Sequence, residues 1–238
     1  MWLKISTLFL LPVIVAQGIV VKQRTPKLLE PIGERQGIVG LGRPLSLLIL
    51  GDSAAVGVGV EYQHQALSGV LISQLMNEYQ LTWALRAKTG DNTRQVIDAI
   101  NALEPQVYDV IVTSIGVNDV TKLTSTRLWI KQQKQLFTEL RKKFDPKLII
   151  VTGVPPMQHF PALPHPLAWI FGKHAQQMNK KLQGYLSTEP IFKFIEFDLE
   201  HFQEMNLPMA IDGFHPSKEI YEIWGKQVAS LVREFFTS

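Results

Sequence analysis

The chain has 238 residues, 46% of them hydrophobic and 19% charged, enough to bury a core of ordinary globular composition. Its net charge of +3 is scattered over stretches such as "LRKKF" and "NKKLQ" instead of forming a basic tract interleaved with aromatics, so no nucleic-acid partner is expected. The absence of cysteine excludes disulfides, a thiol nucleophile and thiolate metal sites.

Residues 1–22 differ from the rest. The apolar run from Ile5 to Val21 is at the short limit for a membrane-spanning helix. Lys4 ahead of an apolar centre, with Ala16-Gln17-Gly18 as a small-x-small step, fits a cleaved signal peptide. Continuation of the run through Ile19 to Val21 into Lys22, Arg24 and Lys27 favours a retained anchor. Membrane association through this single N-terminal helix is therefore expected, with export behind a cleaved signal peptide as the alternative. Residues 23–44 carry Pro26, Pro31 and Pro44 among four glycines and no sustained periodicity, and read as a linker. One folded domain is expected over residues 45–238.

From Leu45 onward apolar runs alternate with amphipathic stretches. "LSLLIL" (45–50), "LTWALRA" (81–87), "DVIVTSI" (109–115), "KLIIVTG" (147–153) and "IFKFIEF" (191–197) read as strands. Trp129, Leu136, Phe137, Leu140 and Phe144 recur at helical spacing, as do Ile220, Trp224, Val228, Leu231 and Phe235. The alternation predicts an α/β architecture of three layers around a five-stranded, mainly parallel sheet. Such sheets bind ligands beyond the carboxyl ends of their strands. There the first strand is followed by Gly51-Asp52-Ser53, the second by Thr89-Gly90-Asp91, and the third by Gly116-Val117-Asn118-Asp119; the loop after the fifth carries Asp212-Gly213-Phe214-His215.

A serine hydroxyl becomes a nucleophile when a base takes its proton; histidine is the usual base, and a carboxylate must hold the imidazolium. Ser53, His215 and Asp212 suit these roles, and the N–H groups of Ser53 and Gly90 with the Asn118 amide are candidate donors to an oxyanion. Singly, each has an ordinary structural role open to it: Ser53 and Asn118 as helix caps, Gly90 as a turn glycine, His215 as a surface histidine before Pro216. Jointly, at one sheet edge, they form a catalytic set.

The blocks "GDSAAVGVG", "TGDNT", "GVND" and "DGFHPS" resemble, in order, the four conserved blocks of the SGNH hydrolases, also called GDSL esterases and lipases. The resemblance covers roughly residues 45–225 and implies a flavodoxin-like sheet, no metal or organic cofactor, and cleavage of carboxylic esters, of esterase, lipase or thioesterase type, through an acyl-enzyme. It makes Ser53 the nucleophile, His215 the base, Asp212 its partner, and Ser53, Gly90 and Asn118 the oxyanion donors. Two positions depart from the pattern: Ala54 stands where leucine names the GDSL group, and Thr89 precedes Gly90. A nucleotide cradle around "GVGV" completes neither phosphate-loop fingerprint. The alternative from another class is a noncatalytic, membrane-tethered binding module that kept the fold, against which the full set of Ser53, Asn118, Asp212 and His215 argues.

For the substrate, a small-molecule or lipid-like ester, the loop "VPPMQHFPALPHPLAWIFG" after the fourth strand is apolar and proline-rich. Phe160, Leu163, Leu167 and Trp169 are candidate walls of an acyl site, and "MNLPMAI" before Asp212 adds apolar surface. His159 and His165 have no third ligand at a useful spacing, so no metal site is expected.

Overall fold

A computed structural model describes residues 2–197, 204 and 207–237. A helix α1 (Trp2–Arg24) precedes the strands β1 (Gln36–Val39), β2 (Arg43–Gly51), β3 (Tyr79–Ala87), β4 (Val110–Ser114), β5 (Leu148–Thr152) and β6 (Phe192–Ile195). Interspersed with these are α2 (Ser53–Val56), α3 (Leu67–Leu75), α4 (Thr93–Asn101), α5 (Val117–Thr121), α6 (Thr126–Phe144) and α7 (Leu167–Leu186), and α8 (Lys218–Thr237) ends the fold.

The strands lie in the order β1-β3-β2-β4-β5-β6. All neighbouring pairs from β3 across to β6 are parallel, while β1 runs antiparallel to β3. β4 ("VIVTS") and β5 ("LIIVT") are buried at every position, as strands covered on both faces must be. On one helical layer α3 packs against α8; in the other α4, α6 and α7 pack in succession. The apolar stripe of α6, from Trp129 to Phe144, is withdrawn from solvent, as are Ile220, Trp224 and Val228 of α8.

The sheet has six strands where five were expected, and the sixth lies in the segment 23–44 that composition marks as a linker. Gln36, Gly37 and Ile38 are exposed, so no burial pattern betrays β1. It is held mainly by backbone pairing, from Gln36 opposite Ala84 to Val39 opposite Leu81, with the Arg86 guanidinium donating to the Gln36 side chain (2.6 Å), and it covers the outer side of β3 with a short edge. Ile32 forms a further bridge to Tyr62. The segment is fastened to the domain along much of its length.

α1 is likewise docked. Ile14 is buried, and the Gln17 amide donates to the His165 carbonyl (2.6 Å) while accepting the Leu167 N–H (3.2 Å), which fixes α1 against the start of α7. Among the described residues no helix is long and apolar enough to cross a membrane.

Register sets the stage for the site. Ala87, Gly51, Ser114, Thr152 and Ile195 stand side by side at the carboxyl edge of β3, β2, β4, β5 and β6, so the segments that follow them open onto one rim.

Candidate active site

The nucleophile turn begins at Gly51, whose φ is +154°. A Cβ at this position would run into the Ser114 carbonyl of β4, so only glycine lets β2 end this close to its neighbour. Asp52 then caps α2, its carboxylate accepting the Ala54 N–H at 3.1 Å, and Ser53 is the first helical residue. From α8 the Tyr221 hydroxyl donates to the Val58 carbonyl (2.8 Å) and lies 3.1 Å from that of Ala54, bracing the turn from the far end of the chain.

Asp212 and His215 share one clamped loop. Met209 and Pro216 bridge its base, the Ala210 N–H donates to the His215 carbonyl (2.8 Å), and the Gly213 N–H donates to that of Ala210 (2.8 Å). Inside the clamp, Asp212 Oδ1 accepts the N–H groups of Phe214 and His215, each at 3.0 Å, as an aspartate does when it organises its own turn. The other oxygen, Oδ2, lies 2.5 Å from His215 Nδ1, and His215 Nε2 lies 2.8 Å from Ser53 Oγ. The Asp212 side chain is 2% exposed and that of His215 21%, so the acid is sealed while the base is accessible.

Burial acts to raise the Asp212 carboxyl, but the bonds from the His215 ring and from the two N–H groups outweigh it, and the group ends below its ordinary value. An ionised carboxylate only accepts. Nδ1 of His215 therefore carries the ring proton, and Nε2 is left to accept from Ser53.

The three candidate oxyanion donors come from three strand ends. Gly90 turns the chain after β3 with φ of +89°; a Cβ there would meet nothing within 4 Å, so conformation and not space calls for glycine. Thr89 beside it is anchored by Glu30, whose Oε1 accepts the Thr89 N–H (3.1 Å) and hydroxyl (2.6 Å) while Arg35 pairs with Oε2 (2.5 Å). Asn118, on α5, donates one amide hydrogen to the Asp91 carbonyl (2.9 Å), which orients the side chain and leaves a second N–H.

Two other carboxylates near these motifs do other work. Asp119 accepts the N–H (3.0 Å) and hydroxyl (2.8 Å) of Thr93 and so ties α5 to the start of α4. Asp52 is fully buried beneath the turn, and burial pushes its carboxyl up to about 7 against the Ala54 N–H and the charge of His215. Among the described residues no cluster of His, Asp and Glu side chains is arranged to hold a metal ion.

Ser53, Gly90, Asn118, Asp212 and His215 line a cavity of about 950 Å³, at the upper end of the size of small-molecule sites. Phe160, Leu163 and Leu167, expected as acyl walls, line it and are buried, and Phe171 and Met209 join them. Trp169 does not line it and is 38% exposed. The reason is helical phase: Leu167 and Phe171, one turn apart on α7, take the cavity side, and Trp169 lies half a turn from both. In "MNLPMAI", Met205 and Asn206 lie outside the described residues. The residues of α1 that sequence reasoning missed are Val15, Gly18, Ile19, Val21 and Lys22, which also line the cavity. Their one local signal is Gln17, a polar residue in an apolar run, whose amide turns out to hold α7.

The sequence model of the GDSL-like Lipase/Acylhydrolase family matches residues 49–223, a span that contains Ser53, Gly90, Asn118, Asp212 and His215. No curated protein matches the chain. Among solved structures, a member of the lipolytic protein G-D-S-L family from Veillonella parvula DSM 2008 superposes with a TM-score of 0.63 at 15% identity, over 79% of this chain and 97% of that one. The lipase Lip_vut3 from a goat rumen metagenome does so with 0.59 at 19% identity, over 78% and 96%. A carbohydrate acetylesterase family member from Sinorhizobium meliloti gives 0.57 at 18%, over 82% and 100%. At these identities the likeness is one of fold.

Proposed function

Because the chain belongs to the GDSL-like lipase/acylhydrolase family, we propose that it hydrolyses carboxylic esters through an acyl-enzyme formed on Ser53. The observation that carries the reading is the unbroken line of hydrogen bonds from Asp212 through His215 to Ser53 at the wall of a largely apolar cavity. In the first half-reaction Ser53 Oγ attacks the ester carbonyl as His215 Nε2 takes its proton. Asp212 stays ionised and stabilises the imidazolium. The oxyanion is met by the N–H groups of Ser53 and Gly90 and by the Asn118 amide, whose bonds strengthen as charge develops. Collapse breaks the bond to the leaving oxygen, and His215 returns the proton to the departing alcohol. Water, deprotonated by the same nitrogen, then releases the acid and restores Ser53.

The buried side chains of Phe160 and Leu163 suit the acyl half of the substrate. The same reading attaches the protein to a membrane through α1, on which Leu11, Val13 and Val20 are exposed. A fluorophosphonate probe tests the chemistry. Wild type should be labelled and should turn over nitrophenyl esters, whereas Ser53→Ala should stay folded and do neither. Turnover by Ser53→Ala at the wild-type rate would overturn the assignment, and a wild type inert to both probe and ester would point to the binding module.

A further inference from the structure

Two adjacent stripes of α1 have different neighbours. Leu10, Ile14, Gln17 and Val21 recur one turn apart; the three apolar ones pack on the core, Gln17 bonds to the residues at the start of α7, and Val21 also reaches the cavity. Beside them run Val15, Gly18, Ile19 and Lys22, all of which line the cavity that contains Ser53 and His215. The nucleophile thus stands in a trough built partly from the N-terminal helix. Gly18 is the informative residue. Glycine weakens a helix interior, yet a Cβ at position 18 would meet nothing within 4 Å, so no neighbour in the protein demands its smallness. What it leaves is room inside the cavity.

We infer that α1 is the acyl-chain wall of this enzyme and that its substrate is a long-chain acyl ester, the chain lying along Val15, Gly18 and Ile19 with its carbonyl at Ser53. The inference rests on the hydrolase reading and deepens it. An acetyl group would leave most of a 950 Å³ cavity and the apolar face of α1 in water. Each further methylene buried against such a wall is worth about fourfold in affinity, so a trough continuous with the nucleophile selects for length.

The test compares kcat/KM for nitrophenyl palmitate and nitrophenyl acetate, both in mixed detergent micelles, using the full chain as wild type, Gly18→Phe and Val13→Phe. A Cβ at 18 meets nothing within 4 Å, so a larger side chain starts out toward the open cavity, and the thermal melt of Gly18→Phe, expected to match wild type, checks that the fold is kept. Wild type should prefer palmitate, and Gly18→Phe should lower the palmitate-to-acetate ratio by about tenfold or more. Val13 is exposed on the same helix but does not line the cavity, and its replacement should leave the ratio unchanged. An unchanged ratio in Gly18→Phe, an equal fall in Val13→Phe, or a wild type that prefers acetate overturns the inference. Fluorophosphonate labelling separates the two levels: labelled protein with a flat chain-length profile removes the wall and keeps the hydrolase, while wild type neither labelled nor active removes both.

Discussion

Two buried aspartates flank the nucleophile, and their surroundings give them opposite behaviour. Asp212 receives three hydrogen bonds and its carboxyl is lowered, so its contribution to stability is present above the ordinary carboxylate range and is lost as pH falls through its own lower value. Asp52 accepts the Ala54 N–H, with the Gly116 N–H also favouring its charged form, but full burial outweighs both and its carboxyl is raised to about 7. The folded protein therefore holds the Asp52 proton more firmly than the unfolded chain does. That contribution is complete in acid, declines as pH climbs above the ordinary carboxylate value, and is gone once pH has passed about 7. Asp52→Asn, which mimics the protonated carboxyl and keeps an acceptor for Ala54, should melt several degrees above wild type near pH ~8.5, by less near pH ~5, and match it below the ordinary carboxylate value. Thermal melts across that interval check the sign; a variant that melts lower at alkaline pH would mean that the ionised form is the stabilising one.

At the level of elements, the segment that carries β1 reaches the chemistry through Glu30. Its carboxylate holds both the backbone and the hydroxyl of Thr89, one residue before Gly90, the proposed oxyanion donor, and Arg35 holds it in turn. Thr89, a departure from the family pattern, thus has a partner of its own. Glu30→Ala should lower kcat by about 10- to 100-fold with little change in KM, because a displaced donor is felt when the oxyanion forms. Glu30→Gln, which retains an acceptor for Thr89, should restore much of the loss. Steady-state kinetics on both variants decide this, and a rise in KM alone would make the segment a substrate contact instead. The same elements show what local pattern reveals. β2, β4 and β5 were legible because burial on both faces leaves unbroken apolar runs; Ser53 and Asn118 stand just beyond two of these runs, and Gly90 just beyond β3, whose burial alternates. β1 was not, since an exposed edge strand is defined by its partner's backbone. Trp169 was misplaced because the start of α7 at Leu167 sets the phase that turns it outward. The part of α1 in the cavity was hidden for a different reason: the contact joins Gln17 to His165 and Leu167, far along the chain, and no window of sequence contains both.

For the molecule as a whole, α1 has a third side. Val13 and Val20, seven residues apart, are exposed together and face neither the cavity nor the core. If this side attaches the protein to a bilayer, replacing both by serine should reduce co-sedimentation with lipid vesicles while Ser53 remains reactive to the fluorophosphonate. Undiminished sedimentation would assign the attachment to another surface. The bond between His215 and Ser53 has a consequence of its own, because it spans 162 positions of chain. During synthesis the turn bearing the serine leaves the ribosome well before the histidine exists, and Tyr221, which braces that turn, follows later still. Contacts so distant in sequence form late in folding. An unfinished or C-terminally clipped chain therefore carries Ser53 as an ordinary alcohol until the last helix has docked.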